Sequence, residues 1–169
     1  MDLDAIAGVL LPLAPAERAA LMNGALLGFD AQVGLRFVTV DLSEVVAEVA
    51  VTERHMQPYG LVHGGVYATI GESVCSVGAA LSVMGAGKNA VGAENTTRFH
   101  RGCRPGTTLR ATARPLRELN GGRQIVWEAV MVDAEGRRCA TSRVTVAILE
   151  PGRQIAGENV GLLGTMGEG

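Results

Sequence analysis

A chain of 169 residues, 47% apolar but only 4% aromatic, is sized for one domain whose core is built from Val, Leu, Ile and Ala. Its net charge of -2 argues against a general nucleic-acid binder. No run of 18 or more apolar residues occurs, so no membrane-crossing helix is expected. The three cysteines, Cys75, Cys103 and Cys139, lack metal-ligand spacing and leave at least one unpaired, which suits a reducing, cytoplasmic setting and no metal.

The apolar stretch from Ala5 to Leu11 comes after Asp2 and Asp4, the wrong charge for a secretory signal, and reads as a helix of the mature protein. Pro15 suits a helix start with Glu17 in its first turn, and Gly24 and Gly28 then break the helical pattern. Residues 1–32 are therefore expected as an N-terminal helical segment. From Leu35 to Thr52 apolar and polar residues alternate, giving two strands joined by a turn at Asp41–Glu44. A linker with Pro58 and Gly60 leads to a long segment, His63–Met84, free of proline and apolar almost all round. It is expected as a buried helix ended by Gly85-Ala86-Gly87.

The remainder predicts strands. Val91–Phe99 and Thr107–Leu119 alternate, with Pro115 marking an edge or a bulge. Asn120-Gly121-Gly122 is a hairpin turn. Ile125, Trp127, Ala129 and Met131 line one strand face, and after a turn at Asp133–Gly136 the last strand runs from Arg138 to Leu149. Residues 33–150 form the main domain, and the glycine-rich residues 151–169 are expected as a flexible tail. One apolar helix with many strands requires an α+β fold in which an antiparallel sheet wraps around that helix.

Inside the long helix Thr69, Glu72, Ser73 and Ser76 are spaced i, i+3, i+4, i+7 and share one stripe. The helix carries no Lys or Arg and only this one acid, which is unusual for a merely solvated face. A lone carboxylate there needs donors to stay ionised, and it is a candidate base or nucleophile. The start of the helix, His63-Gly64-Gly65, lets a substrate approach backbone N–H groups at the positive end of the helix dipole, where a carbonyl oxygen would be polarised. His63 reads as a structural hydrogen-bonding residue, and Gln57 as an amide able to orient a carbonyl or water. Cys75, among apolar residues, reads as core, and no serine sits in a nucleophile elbow.

Fourteen of the fifteen basic residues are arginine, and Arg98, Arg101, Arg104, Arg110, Arg114, Arg117 and Arg123 share their stretch with Glu118 as the sole acid. Some of these are candidates for phosphate binding and others for a solvated sheet face. Arg98 alternates to the face opposite Phe99, whereas Arg101 and Arg104 fall in the loop after it.

Taken together, Gln57…Gly60-Leu61-Val62-His63-Gly64-Gly65-Val66…Glu72-Ser73…Ser76 resembles the hotdog thioesterases. The similarity is greatest to the PaaI-like branch containing the Arthrobacter-type 4-hydroxybenzoyl-CoA thioesterase and the enterobactin-pathway proofreading thioesterase. Val91-Gly92-Ala93-Glu94…His100-Arg101 and Trp127-Glu128…Gly136-Arg137-Arg138-Cys139 resemble the proofreading enzymes as well, while Thr97-Arg98-Phe99 departs from their pattern. The resemblance covers roughly residues 33–150. It implies a hotdog fold and hydrolysis of an acyl- or aryl-CoA thioester, with CoA part of the substrate and no separate cofactor. It further implies Glu72 as nucleophile or general base, Gly65 N–H as oxyanion donor with His63 holding the loop, Gln57 positioning carbonyl or water, and Ser76 holding water or the acid. Gly64, Thr69, Ser73, His100, Arg98, Arg101 and Arg104 are the expected substrate contacts. Family members are dimers of dimers whose sites are shared across an interface, so a homodimer or homotetramer is expected, without a nucleic-acid or membrane partner. The competing readings are a non-catalytic acyl-CoA-binding hotdog protein and a hotdog dehydratase.

Overall fold

The computed structural model describes residues 3–151, 154–155 and 158–159. Three short helices open the chain: α1 (Leu3–Leu10), α2 (Pro15–Gly24) and α3 (Gly28–Val33). Strands β1 (Leu35–Val40) and β2 (Val45–Ala50) come next, then a single 3-10 turn at Glu53–His55 and the long helix α4 (Gly64–Met84). Four strands complete the domain: β3 (Asn89–Phe99), β4 (Thr108–Leu119), β5 (Gln124–Val132) and β6 (Arg138–Leu149). The expected flexible tail lies mostly outside the described residues, in which β7 (Gln154–Ile155) and β8 (Glu158–Asn159) pair with each other.

Strands β1 to β6 form one antiparallel sheet in the order β1-β2-β4-β5-β6-β3. The helix lies across it and packs against β3, β4, β5 and β6. Two glycines set the approach. A Cβ on Gly71 would stand 2.1 Å from Ser142 Oγ, and one on Gly78 would stand 2.4 Å from the ring of Trp127. Trp127 is fully buried, with Phe37, Ile70, Leu109 and Met131 as the other large side chains of the core. Contrary to expectation, α4 is long and apolar enough to cross a membrane by length and composition alone. Its apolarity is accounted for by the face it presents to the sheet, where Tyr67, Ile70, Val74, Cys75, Leu81 and Met84 are buried. Burial is one-sided within the chain, and the stripe of Thr69, Glu72, Ser73 and Ser76 is half-buried.

Local signals act as expected. Asn120, Gly121 and Gly122 all take positive φ (54°, 67° and 80°), which closes the β4–β5 hairpin. Pro115 coincides with a register shift between β4 and β5, and it lies beyond Ala113, the last β4 residue paired with β2, so its missing N–H costs no ladder bond there. The N-terminal helices are fastened by Arg18, which is buried and donates to the carbonyls of Leu10 (2.9 Å), Leu11 (2.8 Å) and Val40 (3.1 Å) while pairing with Asp41 at 3.3 Å. Leu10 ends α1, Leu11 follows it and Val40 ends β1, so one guanidinium ties the first helix to the sheet. Asn23 adds a two-way bond to the Phe37 backbone, 2.8 Å in each direction.

β3 is an edge strand: it pairs with β6 on one side only. It is eleven residues long, and Gly92, Ala93, Glu94, Asn95, Thr96, Arg98 and Phe99 are exposed. Long unpaired edges invite another strand.

Candidate active site

The loop before α4 is built on a buried histidine. His55 Nδ1 accepts from Thr52 N–H at 2.9 Å, and its Nε2 lies 3.0 Å from the Val33 carbonyl, which fixes Nε2 as the donor. The His55 carbonyl accepts from His63 N–H at 2.8 Å, and Gln57 N–H donates to the Leu61 carbonyl at 2.8 Å. These bonds hold Gln57 and the start of α4 side by side.

His63 caps that helix: its Nδ1 accepts the Gly65 N–H at 2.9 Å. The amide expected as oxyanion donor is therefore already engaged. Val66 N–H donates to the His63 carbonyl at 3.0 Å. Gly64, the first helical residue, keeps an N–H with no acceptor among the described residues. The first amide of a helix is an orphan donor at the positive end of the dipole. Glycine leaves room for the ring wall here, because a Cβ at position 64 would stand 2.9 Å from Phe99 Cζ and shift that exposed ring tip.

Gly64 opens onto a cleft of about 360 Å³ lined by Gln57, Tyr67, Phe99, His100 and Arg101 among others. Tyr67 and Phe99 face each other with ring centroids 6.0 Å apart. The cleft thus collects Gln57, Gly64, His100 and Arg101 of the residues singled out in the sequence; Tyr67 and Phe99 were not foreseen as its walls.

Glu72 lies elsewhere on the helix. Its Oε1 accepts from Ser76 Oγ at 3.0 Å and its Oε2 from Asn95 Nδ2 at 3.1 Å. The carboxylate rests against β3 where Gly92 leaves room, since a Cβ on Gly92 would be 2.2 Å from Oε1. Asn95 also donates to the Ala68 carbonyl at 3.0 Å and is itself held by Thr97 Oγ1 at 2.8 Å. Neither Asn95 nor Gly92 was among the expected site residues. Their signal was present in that both residue types are disfavoured inside a strand unless something approaches closely. The other two hydroxyls of the stripe are taken: Thr69 Oγ1 donates to the Gly65 carbonyl at 2.9 Å, and Ser73 Oγ donates to Asp30 of α3 at 2.5 Å. Glu72 is eight residues past Gly64, so the two are separated by about 12 Å of helix rise.

The arginines divide three ways. Arg110 pairs with Glu48 at 2.6 Å and Arg114 with Glu44, so both serve the sheet surface. Arg98 lines a separate pocket of about 280 Å³ on the sheet face away from α4, with His100, Glu128, Arg138 and Arg143. Arg101 and Arg104 are exposed and have no carboxylate partner among the described residues.

Cys75 is fully buried, and burial first, then the nearby Glu72 and Glu128, push its thiol well above the ordinary range. It is core. Among the described residues one group offers metal-ligating atoms together: Cys103, Asp133 and Cys139, within 4.8 Å of one another. Asp133 Oδ2 is bound by Arg137 Nε at 2.7 Å and its Oδ1 by Arg137 N–H at 2.8 Å. Burial works against ionisation of Asp133, but these bonds prevail and hold its carboxyl below the usual range. A guanidinium already occupies the place of a cation there, and the group fits a metal poorly.

The profile of the thioesterase superfamily matches residues 59–140. Over 130 residues the chain is 35% identical to the 1,4-dihydroxy-2-naphthoyl-CoA hydrolase of Escherichia coli, an overlap of 77% of this chain and 90% of that protein. The chain belongs to the thioesterase superfamily. It is a thioester hydrolase with the hotdog fold. It is also 39% identical over 104 residues to the proofreading thioesterase EntH of Cronobacter sakazakii, covering 61% of this chain and 72% of that one. Thioesterase PA1618 from Pseudomonas aeruginosa superposes with a TM-score of 0.69 at 27% identity, covering 79% of this hydrolase and 93% of that chain.

Proposed function

We propose that this thioesterase hydrolyses acyl- or aryl-CoA thioesters at a site assembled from two copies of the chain. One copy supplies Gly64 and Gln57, and the other supplies Glu72. The observation that carries this reading is the separation on α4. A free N–H at Gly64 and a donor-held carboxylate at Glu72 are complementary groups, yet about 12 Å of helix rise parts them, whereas a reacting carbonyl needs both within about 3 Å.

The geometry of β3 supports the way the gap closes. Ala68 stands midway between Gly64 and Glu72 in sequence, and its carbonyl is bound by Asn95, one residue from the centre of β3. A two-fold axis through the middle of the exposed β3 edge therefore runs level with Ala68. Antiparallel pairing of two such edges puts the Gly64 of each copy level with the Glu72 of the other, about 6 Å of rise to either side of the axis.

In such a site the thioester oxygen sits on the Gly64 N–H, in place of the engaged Gly65 N–H. The orphan amide and helix dipole stabilise the negative charge that develops there. Gln57 orients the carbonyl or the water. Glu72 either attacks the carbonyl or takes a proton from water, while Ser76 and Asn95 keep its two oxygens aimed. The thiolate of CoA leaves. Arg101, on the cleft, and Arg104, beside it, are free to meet the CoA phosphates. CoA is then the only nucleotide group required, and it enters with the substrate.

The experiment is hydrolysis of a panel of acyl- and aryl-CoA esters, monitored by release of free thiol. Turnover by the native protein that collapses in Glu72→Gln supports the reading; no turnover of any CoA ester, or a fully active Glu72→Gln variant, overturns it.

A further inference from the structure

We propose that Cys103 and Cys139 form a thiol–disulfide site that staples one wall of the substrate cleft to the sheet. The two residues are 36 positions apart in sequence, yet their sulfurs stand 3.1 Å from each other. Cys103 donates its S–H to the Cys139 sulfur, and Cys139 donates its own to the Arg137 carbonyl at 3.3 Å. A covalent bond between them requires the sulfurs to close by about 1 Å. The third cysteine, Cys75, is a separate buried thiol and is not part of this pair.

The location connects the pair to the cleft. Cys103 belongs to the loop after β3, two residues past Arg101, and its carbonyl accepts from Val62 N–H at 2.9 Å. Tyr67 Oη contacts the Arg101 carbonyl of the same loop at 3.4 Å. His100, Arg101 and Gly102 form part of the cleft wall. Cys139 lies at the start of β6, and its carbonyl accepts from His100 N–H at 2.8 Å and Arg101 N–H at 3.1 Å. A disulfide would replace a soft contact by a covalent tie at the point where the loop leaves the sheet.

The oxidant is a hydroperoxide or a small disulfide. With hydrogen peroxide, the Cys103 sulfur attacks one peroxide oxygen, the O–O bond breaks, and a sulfenic acid forms with loss of water. The Cys139 sulfur then attacks the Cys103 sulfur, the S–O bond breaks, and a second water leaves with the remaining proton. Two thiols and one peroxide give one disulfide and two waters. Cys103 is 5% exposed and Cys139 is sealed, so Cys103 reacts first. Burial above all pushes the Cys139 thiol up to about 12, so the reaction is slow, and the same burial shields the product from reductants.

The test uses the native protein, held with hydrogen peroxide or oxidised glutathione, then denatured under alkylation and mapped by non-reducing digestion. The expected result is a fall from three free thiols to one, a Cys103–Cys139 cross-linked peptide, a mass lower by two hydrogens, and reversal by dithiothreitol. Cys75→Ser should behave like the native protein, and Cys103→Ser or Cys139→Ser should lose the cross-link. The proposal is overturned by persistence of all three thiols, by a cross-link that involves Cys75 or joins two chains, or by stoichiometric zinc binding that protects Cys103 and Cys139 from alkylation. The mapping of the native protein decides the matter even if a variant fails to fold, and it is independent of thioesterase activity.

Discussion

Asn95 donates its side-chain N–H to the Glu72 carboxylate at 3.1 Å, reaching from the exposed edge strand to the long helix. This bond ties the one acid of α4 to the strand through which a second copy would dock. Replacing Glu72 by glutamine keeps size and removes the charge, so kcat should fall by about 10²-fold or more with little change in substrate binding. Single turnover in ¹⁸O-water separates the two roles of Glu72. General-base action puts label in the product acid and none in the enzyme, whereas an anhydride opened by water at the Glu72 carboxyl carbon leaves the first product unlabelled and marks the enzyme. Near-normal turnover by Glu72→Gln would contradict the assignment.

Asn95 acts through Glu72, which makes it a positioning residue. Asn95→Ala should lower kcat by roughly tenfold and leave KM within about twofold, since only the aim of the carboxylate changes. A KM that worsens along with kcat, or a lowered denaturation midpoint, would assign Asn95 to the fold.

Proline and alanine at position 64 separate the N–H from the space around it. Both add the same Cβ against the tip of the Phe99 ring. Proline is tolerated at the first helical position, and His63 already has the extended backbone that precedes it (φ -65°, ψ 138°). Only proline removes the N–H. Gly64→Pro should therefore lose a further 10²-fold or so in kcat relative to Gly64→Ala, the usual cost of one oxyanion donor. Equal activities would show that this N–H does not bind the oxyanion.

Arg101 and Arg104 are exposed, so each phosphate contact contributes roughly 1 kcal/mol and is screened by salt. Replacing both by alanine should raise KM for a CoA ester by up to about 30-fold at low salt while barely affecting the same acyl group on a short pantetheine-like thiol. If both substrates suffer alike, the two arginines serve the loop and not the nucleotide.

Gly78 tests the packing. Its missing Cβ would fall 2.4 Å from the ring of Trp127, which is fully buried and cannot move aside. Gly78→Ala should cost about 1–3 kcal/mol in chemical denaturation through overpacking. An unshifted midpoint would mean that helix and sheet have more room than their contact indicates.

The element order, the hairpin at Asn120 and the polar stripe on α4 were legible because period and turn chemistry are local signals. The site was legible in its residue types but not in its bonding. Nothing in two adjacent glycines says which amide stays free; that depends on His63 turning its ring to cap Gly65. Ser73 reads as part of the stripe until Asp30, 43 residues away, is seen to claim its hydroxyl. Asn95 stands out as an unusual residue inside a strand, but its target does not, and the Cys103–Cys139 contact was hidden altogether, because loop closure over long separations leaves no trace in local spacing.

The sharing of one site between two chains is the central claim, and subunit mixing tests it. Glu72→Gln and Gly64→Pro chains, each inactive alone, are unfolded together, refolded at equal ratio and assayed. Random pairing makes about half of the dimers mixed, each with one intact and one doubly damaged site, so about a quarter of native activity should return. A mixture no more active than the mean of its two components, with exchange verified by distinguishable tags, would contradict the shared site.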